Sequence, residues 1–475
     1  MDGIEELRNE LLGEVLTADS PGFSDALSVW AVSAYHDAVP VPALVVQPRG
    51  TSDVIAAVKF ATAKGLSLSV KGGGHGAGNP SRVDGGLMID MSRHMHSVFV
   101  DPEAKTAVVD GGALAIDIDS ESSLHGLAAP LGVCCVVGMG LALNGGLSLL
   151  SRAYGPACDG ILEATVVLAD GTAVHVTKDG PDPELWWALR GAGSSLGVVT
   201  KLKFQLHDVK GAYTGTFVWK DDPGHASYRA ILHWIRDVVL NDTRIGFNCS
   251  RIMHPDLGPM LVSMVIVLSD EPDEAKAALL QPLRDLGPIQ DTVGNSTWLQ
   301  TQMTHMAGVT GVTKAFPVHY EVPVGGHVTA EQFNDEFIEA YIRCTSDELP
   351  LPQCALTLSF IELMGGKLKH TQAPVGLKEG ELQWVTQVGW ADASASEVGM
   401  RYAELLHSAL GPLGGVADYV NMLDTAQDLG MTRVAAEGKV GGTANFNRLQ
   451  AVKRKHDPNN VFSSTPFAQV LASDT

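Results

Sequence analysis

Alternating runs of apolar and polar residues predict an α+β protein that opens with a strand–helix–strand unit. ALVVQP and LSLSV have the short apolar runs of buried strands, and TSDVIAAVKFATAKG between them has helical spacing, a Ser/Asp start and a glycine stop. Further short strands are predicted at LMIDM, SVFVD and TAVVDGGA, and ATVVLADG with TAVHVT indicates a hairpin across Asp170-Gly171. The start of the chain therefore predicts small sheets with helices between their strands.

The predicted strands become longer from about Gly211 onward. Longer strands are predicted at YTGTFVWK, MLVSMVIVLS, CALTLSFIEL and ELQWVTQVGW, with helices such as ASEVGMRYAELLHSAL between them. This change indicates a second domain with a larger sheet. Near the end of the chain, FNRLQAVKRKHDPNNVF predicts an amphipathic helix that stops at Asp457-Pro458 and is followed by a short extended end.

Residues 126–151 contain no charged side chain and are mostly apolar, as a membrane span would be. Their glycines, together with Pro130 and Asn144, argue against a spanning helix, because these residues weaken helix propensity and interrupt helical hydrogen bonds. We expect instead a buried backbone that lies against something flat and large.

The 33 basic and 54 acidic residues give a formal net charge of −21. Such a field repels phosphate backbones and anionic lipid, so neither nucleic acid nor a membrane surface is expected as a partner. MDGIEELRNELLGEV has acidic residues where a secretory signal needs basic ones, and six cysteines without a CxxC pair describe neither a disulfide framework nor a zinc site. We therefore expect a cytoplasmic protein with reduced thiols and no metal, or a secreted one if a native leader has been removed.

A glycine-rich loop, Lys71-Gly72-Gly73-Gly74-His75-Gly76-Ala77-Gly78-Asn79, directly follows the predicted strand LSLSV. Its glycines allow backbone N–H groups to converge on an anion such as a phosphate. The loop leads into a turn and a strand, rather than into the helix whose N-terminus would hold a dinucleotide pyrophosphate. An ordinary Rossmann site is therefore not indicated, and a simple tight turn is the alternative to an anion site.

Five segments, in order along the chain, carry a resemblance to a known family. They are VKGGGHGAGN with DGGLMIDMSR, GVCCVVGMGLALNGGLSLLSRAYGPACD, WWALRGAGSSLGVVTKLKF, YVNMLD, and NFNRLQAVKRKHDPNNVF. Together they resemble the berberine-bridge-enzyme-like FAD-linked oxidases of the vanillyl-alcohol-oxidase superfamily, which have a PCMH-type FAD-binding domain. The resemblance extends from Val70 to Phe462 and so includes both ends of the chain.

The resemblance implies three segments with different roles. Residues 1–208 would form a PCMH-type FAD-binding domain of two α/β subdomains, and 209–415 a substrate-binding domain with an antiparallel sheet flanked by helices. Residues 416–475 would return to the FAD-binding domain. The positions that match the family's FAD contacts are Lys71, Gly72, Gly73, Gly74, His75, Gly76, Ala77, Ser92, Cys134, Val137, Gly138, Gly140, Asn144, Gly145, Asp159, Gly193, Gly197, Val199 and Asn445.

His75 matches the histidine that this family joins covalently to the 8α-methyl group of the isoalloxazine. Some members have a second bond, from a cysteine sulfur to flavin C6, and Cys134-Cys135 lies at the matching place, with Cys134 favoured over Cys135. The alternatives are a histidine that hydrogen-bonds its own glycine turn and two cysteines that pack as small apolar residues. The resemblance thus implies FAD attached through His75, with Cys134 as the candidate for a second bond.

Removal of a hydride from an alcohol or amine requires a base for the accompanying proton. Tyr419 matches a family tyrosine that faces the flavin and acts as this base when a neighbour stabilises its phenolate. His370 stands where some relatives have a catalytic glutamate and is a candidate base or substrate anchor. His319 and Tyr320 are neighbours on one predicted strand, so only one of them can face the flavin. Ordinary packing is the alternative role for each.

The expected function is that of an FAD-dependent oxidase that takes a hydride from a small-molecule alcohol or amine, such as a secondary metabolite, to flavin N5. Val137 matches the position that lets dioxygen reach the flavin in relatives, so O2 is the expected re-oxidant and H2O2 the product. The alternatives are a flavin-dependent cyclase, a dehydrogenase or a carbohydrate oxidase of the same family. A flavin-binding fold that has lost catalysis is a further alternative.

Overall fold

The computed structural model of the chain describes residues 2–30, 32–33, 40–76, 80–254, 256–294, 296–313, 320–347, 352–377, 380–414 and 431–473. Over these ranges it has the α+β architecture that the sequence predicts. None of the helices in these ranges combines the length and the apolar character of a segment that crosses a bilayer.

The strand–helix–strand unit predicted at the start of the chain is confirmed. Helix α3 (Thr51–Lys64) connects two parallel strands and ends at Gly65, whose φ of 64° is the left-handed conformation typical of a glycine at a helix end. The sheet contains β1 (Glu14–Leu16), β3 (Leu44–Gln47), β4 (Leu68–Lys71) and β5 (Leu87–Asp90), in the order β1-β3-β5-β4. Only β1 runs antiparallel to its neighbour. Two short helices, α1 (Ile4–Glu10) and α2 (Phe23–Ala26), precede this sheet's second strand.

A five-stranded antiparallel sheet follows and shares an apolar core with helix α7 (Pro183–Ala192). Its strands are β6 (Val98–Asp101), β7 (Thr106–Asp110), β9 (Ile161–Val167), β10 (Ala173–Thr177) and β11 (Val198–Gln205), in the order β10-β9-β11-β7-β6. The predicted hairpin joins β9 to β10, and Gly171 in its turn has a φ of 78°. The local pattern therefore predicts this hairpin correctly.

The charge-free residues 126–151 do not form a continuous helix. They contain the short strand β8 (Leu127–Ala128), which pairs with β12 (His207–Asp208), and the single helical turn α5 (Gly140–Leu143). Helices α4 (Ala115–Ser122) and α6 (Ser151–Tyr154) flank this segment. Most of the segment is buried, as the sequence predicts.

An eight-stranded sheet supplies the second half of the fold. Its strands are β2 (Val32–Ser33), β13 (Tyr213–Lys220), β14 (Ile245–His254), β15 (Gly258–Val267), β16 (Gln290–Asp291), β17 (Tyr320–Val328), β18 (Leu358–Leu363) and β19 (Leu382–Trp390), in the order β16-β13-β15-β14-β18-β19-β17-β2. Neighbours pair antiparallel except β17 and β2.

Helices cover the two faces of the large sheet unequally. One face packs through buried aromatic residues such as Trp384 and Trp390 against α8 (Ala226–Asp237), α12 (Asp335–Ile342) and α13 (Ser396–Gly414). Two short helices, α9 (Asp273–Leu279) and α10 (Gln281–Arg284), lie beside them. On the opposite face, α11 (Trp298–Thr313) contacts β13 and β15, and the rest of that face borders a cavity.

The C-terminal residues pack onto the five-stranded sheet. Helices α14 (Arg433–Lys439), α15 (Thr443–His456) and α16 (Pro466–Ala472) place Phe446, Leu449 and Phe467 in the same apolar core as that sheet. The predicted stop of α15 at Asp457 is confirmed, but the extended end expected after it is wrong from Pro466 onward. There the Thr465 side chain accepts a hydrogen bond from the backbone N–H of Ala468 and starts another helix.

Candidate active site

One cavity lies between the glycine-rich segments and the free face of the large sheet. Its volume of about 320 Å³ is within the range of small-molecule and cofactor sites. One wall is backbone from the loop after β4 and from the segment before α5, including Gly72, Gly73 and Gly138. The other wall consists of side chains from β14, β17, β18 and β19. The two halves of the fold therefore contribute different chemistry to the same cavity.

The glycine wall is built by direct contact between two backbone segments. A Cβ atom added at Gly138 would lie 2.4 Å from the backbone nitrogen of Gly73, and one added at Gly73 would lie 2.7 Å from the nitrogen of Gly138. Both distances are shorter than a Cβ atom tolerates, so only glycine allows this approach. A smooth wall of exposed backbone results, and a flat ligand can lie directly against it.

His75 and Cys134 lie side by side in this cavity. The Sγ atom of Cys134 is 3.5 Å from Nε2 of His75, and the His75 ring stacks on Trp30 at a centroid distance of 4.5 Å. Burial raises the pKa of the Cys134 thiol to about 11, and the Glu362 carboxyl nearby adds to this rise. Cys135 is buried and does not line the cavity.

The sheet wall carries polar side chains at alternate positions of its strands. Asn248 on β14 and Glu362 on β18 are directly opposite each other in the antiparallel pairing. Two residues before Glu362 on β18, Phe360 faces the same way, and Gln387 on β19 lies opposite Leu358 of β18. Because paired residues on antiparallel strands share a face, one register places all of these side chains toward the glycine wall.

Glu362 is a titratable residue of the cavity wall whose burial changes its pKa. Protein surrounds its side chain, and the residue is only partly accessible because it faces the open cavity. Burial raises the pKa of its carboxyl to about 7. His305 of α11 lines the same cavity, and burial lowers the pKa of its imidazole to about 4, so this ring is neutral at neutral pH. The site thus offers a carboxyl that changes charge near pH 7 beside neutral polar groups.

Comparisons with known proteins agree on the class of protein to which this cavity belongs. One family model, described as an FAD binding domain, matches residues 42–177, and another, described as berberine and berberine like, matches residues 418–466. The structure superposes on 6-hydroxy-D-nicotine oxidase from Arthrobacter nicotinovorans with a TM-score of 0.80 and 26% identity, covering 96% of this chain and 97% of that one. The chain is an FAD-linked oxidoreductase with an FAD binding domain and a berberine-like domain.

Relatives of this oxidoreductase have several different names. The (R)-6-hydroxynicotine oxidase of Paenarthrobacter nicotinovorans is 38% identical over 198 residues, 42% of this chain and 42% of that protein. Glucooligosaccharide oxidase of Sarocladium strictum is 26% identical over 91% of this chain and 88% of its own. The berberine-bridge-like protein 1 of Physcomitrella patens shares the fold, with a TM-score of 0.77 at 20% identity, over 97% of both chains.

The residues present fit the FAD that this family binds. The contact between Gly73 and Gly138 leaves backbone rather than side chains against the cavity, as a flat ring system and a pyrophosphate require. His75 and Cys134 both face the cavity, and Asn144 and Ser194 line it while bonded to each other at 3.0 Å. The oxidoreductase would hold the cofactor with these residues and with the glycine backbone.

Many of the residues predicted for FAD line this cavity. They are Gly72, Gly73, Gly74, His75, Gly76, Cys134, Val137, Gly138, Gly140, Asn144, Gly197 and Val199. Gly145 and Gly193 do not line it but lie next to lining residues in sequence. Ala77 lies outside the described residues. The glycine-rich segments and the end of α7 therefore meet in one place, as the resemblance implies.

Four other residues predicted for FAD have roles behind the cavity wall. Lys71 is buried and donates to the backbone oxygen of Ala26 at 2.7 Å, with Asp90 3.8 Å away. Ser92 donates to Asp90 at 2.6 Å.

Asp159 pairs with Arg190 and accepts a hydrogen bond from Thr371 at 2.8 Å, and Asn445 donates to the backbone oxygen of Val440 at 2.8 Å. Together with Lys71 and Ser92, these side chains fix the segments that form the wall, and they do not line the cavity itself.

The residues predicted for catalysis are placed differently from one another. Tyr419 and His319 lie outside the described residues. His370 is exposed at the end of a 3-10 turn and does not line the cavity. Tyr320 packs with its ring centroid 6.3 Å from that of Trp390, toward the helix-covered face, so its neighbour Glu321 faces the cavity.

The polar residues of the sheet wall are not among the site residues predicted from the sequence. These are Asn248, Ser250, Glu321, Glu362 and Gln387, and His305 of α11 lines the same cavity. A signal exists, because Glu362 and Asn248 are polar residues within apolar strands, in SFIEL and GFNCS. Only the register of the sheet, however, tells which of the polar strand residues meet on one face.

Proposed function

We propose that this oxidoreductase is an FAD-dependent oxidase that removes a hydride from the carbon bearing a hydroxyl or amine group in a small organic molecule. In this proposal O2 re-oxidises the cofactor and H2O2 is released. Domain boundaries at 208 and 415 and a cytoplasmic location stay predictions from the sequence.

The observation that carries this proposal is the position of Glu362. Its carboxyl lies in the same cavity as the glycine wall and is close enough to Cys134 to raise the pKa of that thiol. A carboxyl with a pKa of about 7 is half ionised at neutral pH and so can accept a proton there. A base therefore faces the place where the cofactor ring fits.

FAD, when bound, supplies the acceptor for the hydride. Glu362 would accept the proton from the substrate hydroxyl or ammonium group, and Tyr419 is the second candidate for this role. Asn248, opposite Glu362 in the sheet, would orient the same substrate group. Apolar neighbours such as Phe360 would exclude water from the substrate carbon.

Covalent attachment of FAD is part of the proposal. The 3.5 Å contact between Cys134 Sγ and His75 Nε2 supports two bonds to one cofactor, because both atoms face the same region of the cavity. Cys135 has no access to that region, which favours Cys134 as the second ligand. Since burial holds Cys134 as a thiol, His75 is the nearby group that could accept its proton.

A carbohydrate oxidase is the second candidate, because glucooligosaccharide oxidase is similar over most of both chains. Sugar hydroxyls need many polar partners, whereas the middle of the sheet wall presents Leu358, Phe360 and Pro323. This composition favours a less polar substrate.

The test is to purify the protein and mix it without oxygen with panels of amines, alcohols and oligosaccharides. Bleaching of the flavin absorbance by an amine or alcohol, followed by rapid recovery and H2O2 formation in air, is the expected result. Slow recovery in air would indicate a dehydrogenase. Bleaching by oligosaccharides alone would indicate a carbohydrate oxidase, and no bleaching by any compound would contradict the proposal.

A further inference from the structure

Acidic side chains face the cavity of this oxidoreductase. Its described lining residues include two carboxylic acids, Glu321 and Glu362, and no lysine or arginine. Lys71, the lysine nearest in sequence to the glycine wall, is bonded to Ala26 and Asp90 behind it. Any substrate that enters therefore meets a wall with carboxyl groups and with no lysine or arginine among its described lining residues.

The two acids lie at opposite ends of the sheet wall. Glu362 is opposite Gln383 on β19, and Glu321 is opposite Gly389 on the same strand. These β19 positions are six residues apart, which corresponds to about 20 Å along the strand. Glu362 is the acid close to Cys134, so it lies at the end of the glycine wall where the second bond to FAD is proposed.

The side chains around Glu362 add polarity without positive charge. Asn248 lies opposite Glu362, and its Oδ1 already accepts a hydrogen bond from the backbone N–H of Met264 at 2.9 Å, which leaves its amide NH2 free to turn toward the cavity. His305 is almost fully buried and has no partner at Nδ1 in the described part of the chain. Ionised Glu362 would thus be solvated poorly, and a bound cation would compensate its charge.

The surface between the two acids is mainly apolar. Leu358, Phe360 and Pro323 face the cavity there, with Gln387 among them. This wall suits an aliphatic or aromatic group and offers few partners for hydroxyl groups. The protein as a whole has a net charge of −21, which also attracts cations and repels anions.

We propose that the substrate is a small organic amine, bound with its protonated nitrogen at Glu362 and its apolar body over Phe360 and Leu358. This inference rests on the proposed hydride-removing function and narrows its substrate class. A neutral alcohol would leave ionised Glu362 without a cation, and a carboxylate or phosphate would add a second negative charge. Each of these ligands therefore binds less favourably than an ammonium group.

The proposed step balances as follows. The ammonium N–H bond breaks, its proton moves to the Glu362 carboxylate, and the nitrogen keeps the electron pair. The neighbouring C–H bond then breaks, its hydrogen leaves with both electrons as a hydride for the oxidant FAD, and the nitrogen lone pair forms a C=N bond. The amine is oxidised by two electrons to an iminium ion, which water hydrolyses to a carbonyl compound and a smaller amine or ammonia.

The test compares three probes of similar size and different charge: benzylammonium, benzyl alcohol and benzoate. Binding is measured by calorimetry on the FAD-loaded protein after its flavin has been reduced, so that no hydride transfer accompanies binding. We expect benzylammonium to bind about 10- to 100-fold more tightly than benzyl alcohol, as a hydrogen bond between charged groups predicts, and benzoate more weakly than both. Below pH 7, binding of benzylammonium should also release a proton, because the cation favours ionised Glu362.

Two charge-neutralising variants provide a matched pair. Glu362→Gln should lose the preference for benzylammonium over benzyl alcohol and keep its affinity for the alcohol. Glu321→Gln removes the same charge at the other end of the wall and should keep most of the preference. Flavin content and melting temperature report whether each variant is folded, and the ranking of the three probes on the unmodified protein tests the inference even if a variant fails.

The inference is overturned if benzyl alcohol or benzoate binds more tightly than benzylammonium, if benzylammonium fails to bind at millimolar concentration, or if folded Glu362→Gln retains the preference. Its failure is distinguishable from failure of the proposed function. Flavin bleaching by alcohols without a preference for cations leaves the oxidase proposal intact and refutes the amine. A preference for cations without bleaching by any compound leaves the charge argument intact and refutes the oxidase.

Discussion

The pH dependence of cofactor reduction is the sharpest test of Glu362. Burial raises the pKa of this carboxyl from 4.5 to about 7. Because a change of one in pKa corresponds to about 1.4 kcal/mol, ionisation of Glu362 costs about 3 kcal/mol more in the cavity than in water. With a pKa of about 7, roughly a tenth of the Glu362 carboxyls are ionised at about pH 6 and roughly nine tenths at about pH 8. If ionised Glu362 is the base, the rate constant for reduction should rise about tenfold per pH unit below pH 7 and level off above it.

The assay is anaerobic stopped-flow bleaching of the flavin, with a substrate whose own protonation stays constant over the pH range. Glu362→Gln should remove the rising limb and lower the rate constant by about 10²- to 10⁴-fold, the usual contribution of a general base. Glu321→Gln is the control for the loss of one cavity charge and should keep the limb. A rate that is flat from acidic to neutral pH in the unmodified protein, or an unchanged limb in Glu362→Gln, would refute the assignment.

Four further predictions concern the cofactor, the second base and stability. His75→Ala should release yellow FAD into the supernatant after acid precipitation if Cys134 is also replaced by Ala, whereas either single variant should keep colour in the pellet; release from unmodified protein would disprove covalent attachment. Gly138→Val should abolish FAD binding, because its Cβ would lie 2.4 Å from a backbone nitrogen, and a fully loaded folded variant would contradict the glycine cradle. Tyr419→Phe should keep the bound FAD and slow its reduction; an unchanged rate constant removes Tyr419 from the mechanism. Burial raises the pKa of Asp119 from 3.8 to about 8, so the folded state holds a proton that the unfolded chain loses. The free energy of unfolding should therefore fall by about 1.4 kcal/mol per pH unit from about pH 4 to pH 8 because of this group. Asp119→Asn should flatten this part of the profile of melting temperature against pH, and a parallel profile would contradict the buried acid.

The elements of this fold could be predicted where one local pattern decides them. Helix α3 has helical spacing, a polar start and a glycine stop, so its bounds follow from the sequence. The hairpin at Gly171 likewise needs only a turn signal between two strands. Helix α16 is not among the predicted elements, although Thr465-Pro466 is a helix-start signal. The Asp457-Pro458 turn before it favours an extended tail instead. Local signals fail when two of them compete.

The cofactor half of the site could be predicted because each of its two glycine-rich segments is continuous in sequence. The loop from Gly72 to Gly76 and the segment from Cys134 to Asn144 each carry their own glycine pattern, and both line the cavity. The contact between Gly73 and Gly138 itself could not be derived from spacing, since it depends on the packing of β4 against a distant loop. The resemblance to a family implies only that both segments bind the same cofactor.

The substrate half could not be predicted, because it depends on the register of strands far apart in the chain. Asn248 and Glu362 are more than a hundred residues apart and meet only through the pairing of β14 with β18. Tyr320 and Glu321 show how sensitive the choice is, since a shift of one residue exchanges the face that each presents. His370 lies away from the cavity for another reason. Gly365 and Gly366, with φ values of 81° and 56°, turn the chain out of the sheet before it reaches His370.

The division between a backbone cradle and a side-chain wall also explains how relatives with such different names share one fold. The cradle is made of glycine contacts such as Gly73 with Gly138, which tolerate no side chain and therefore leave the cofactor half little freedom to change. The wall presents alternate residues of antiparallel strands, and replacing Glu362 or Phe360 alters charge or shape without moving any backbone hydrogen bond of the sheet. Substitution at a few positions on one sheet face would therefore change the charge or the shape of the cavity while leaving the glycine contacts in place.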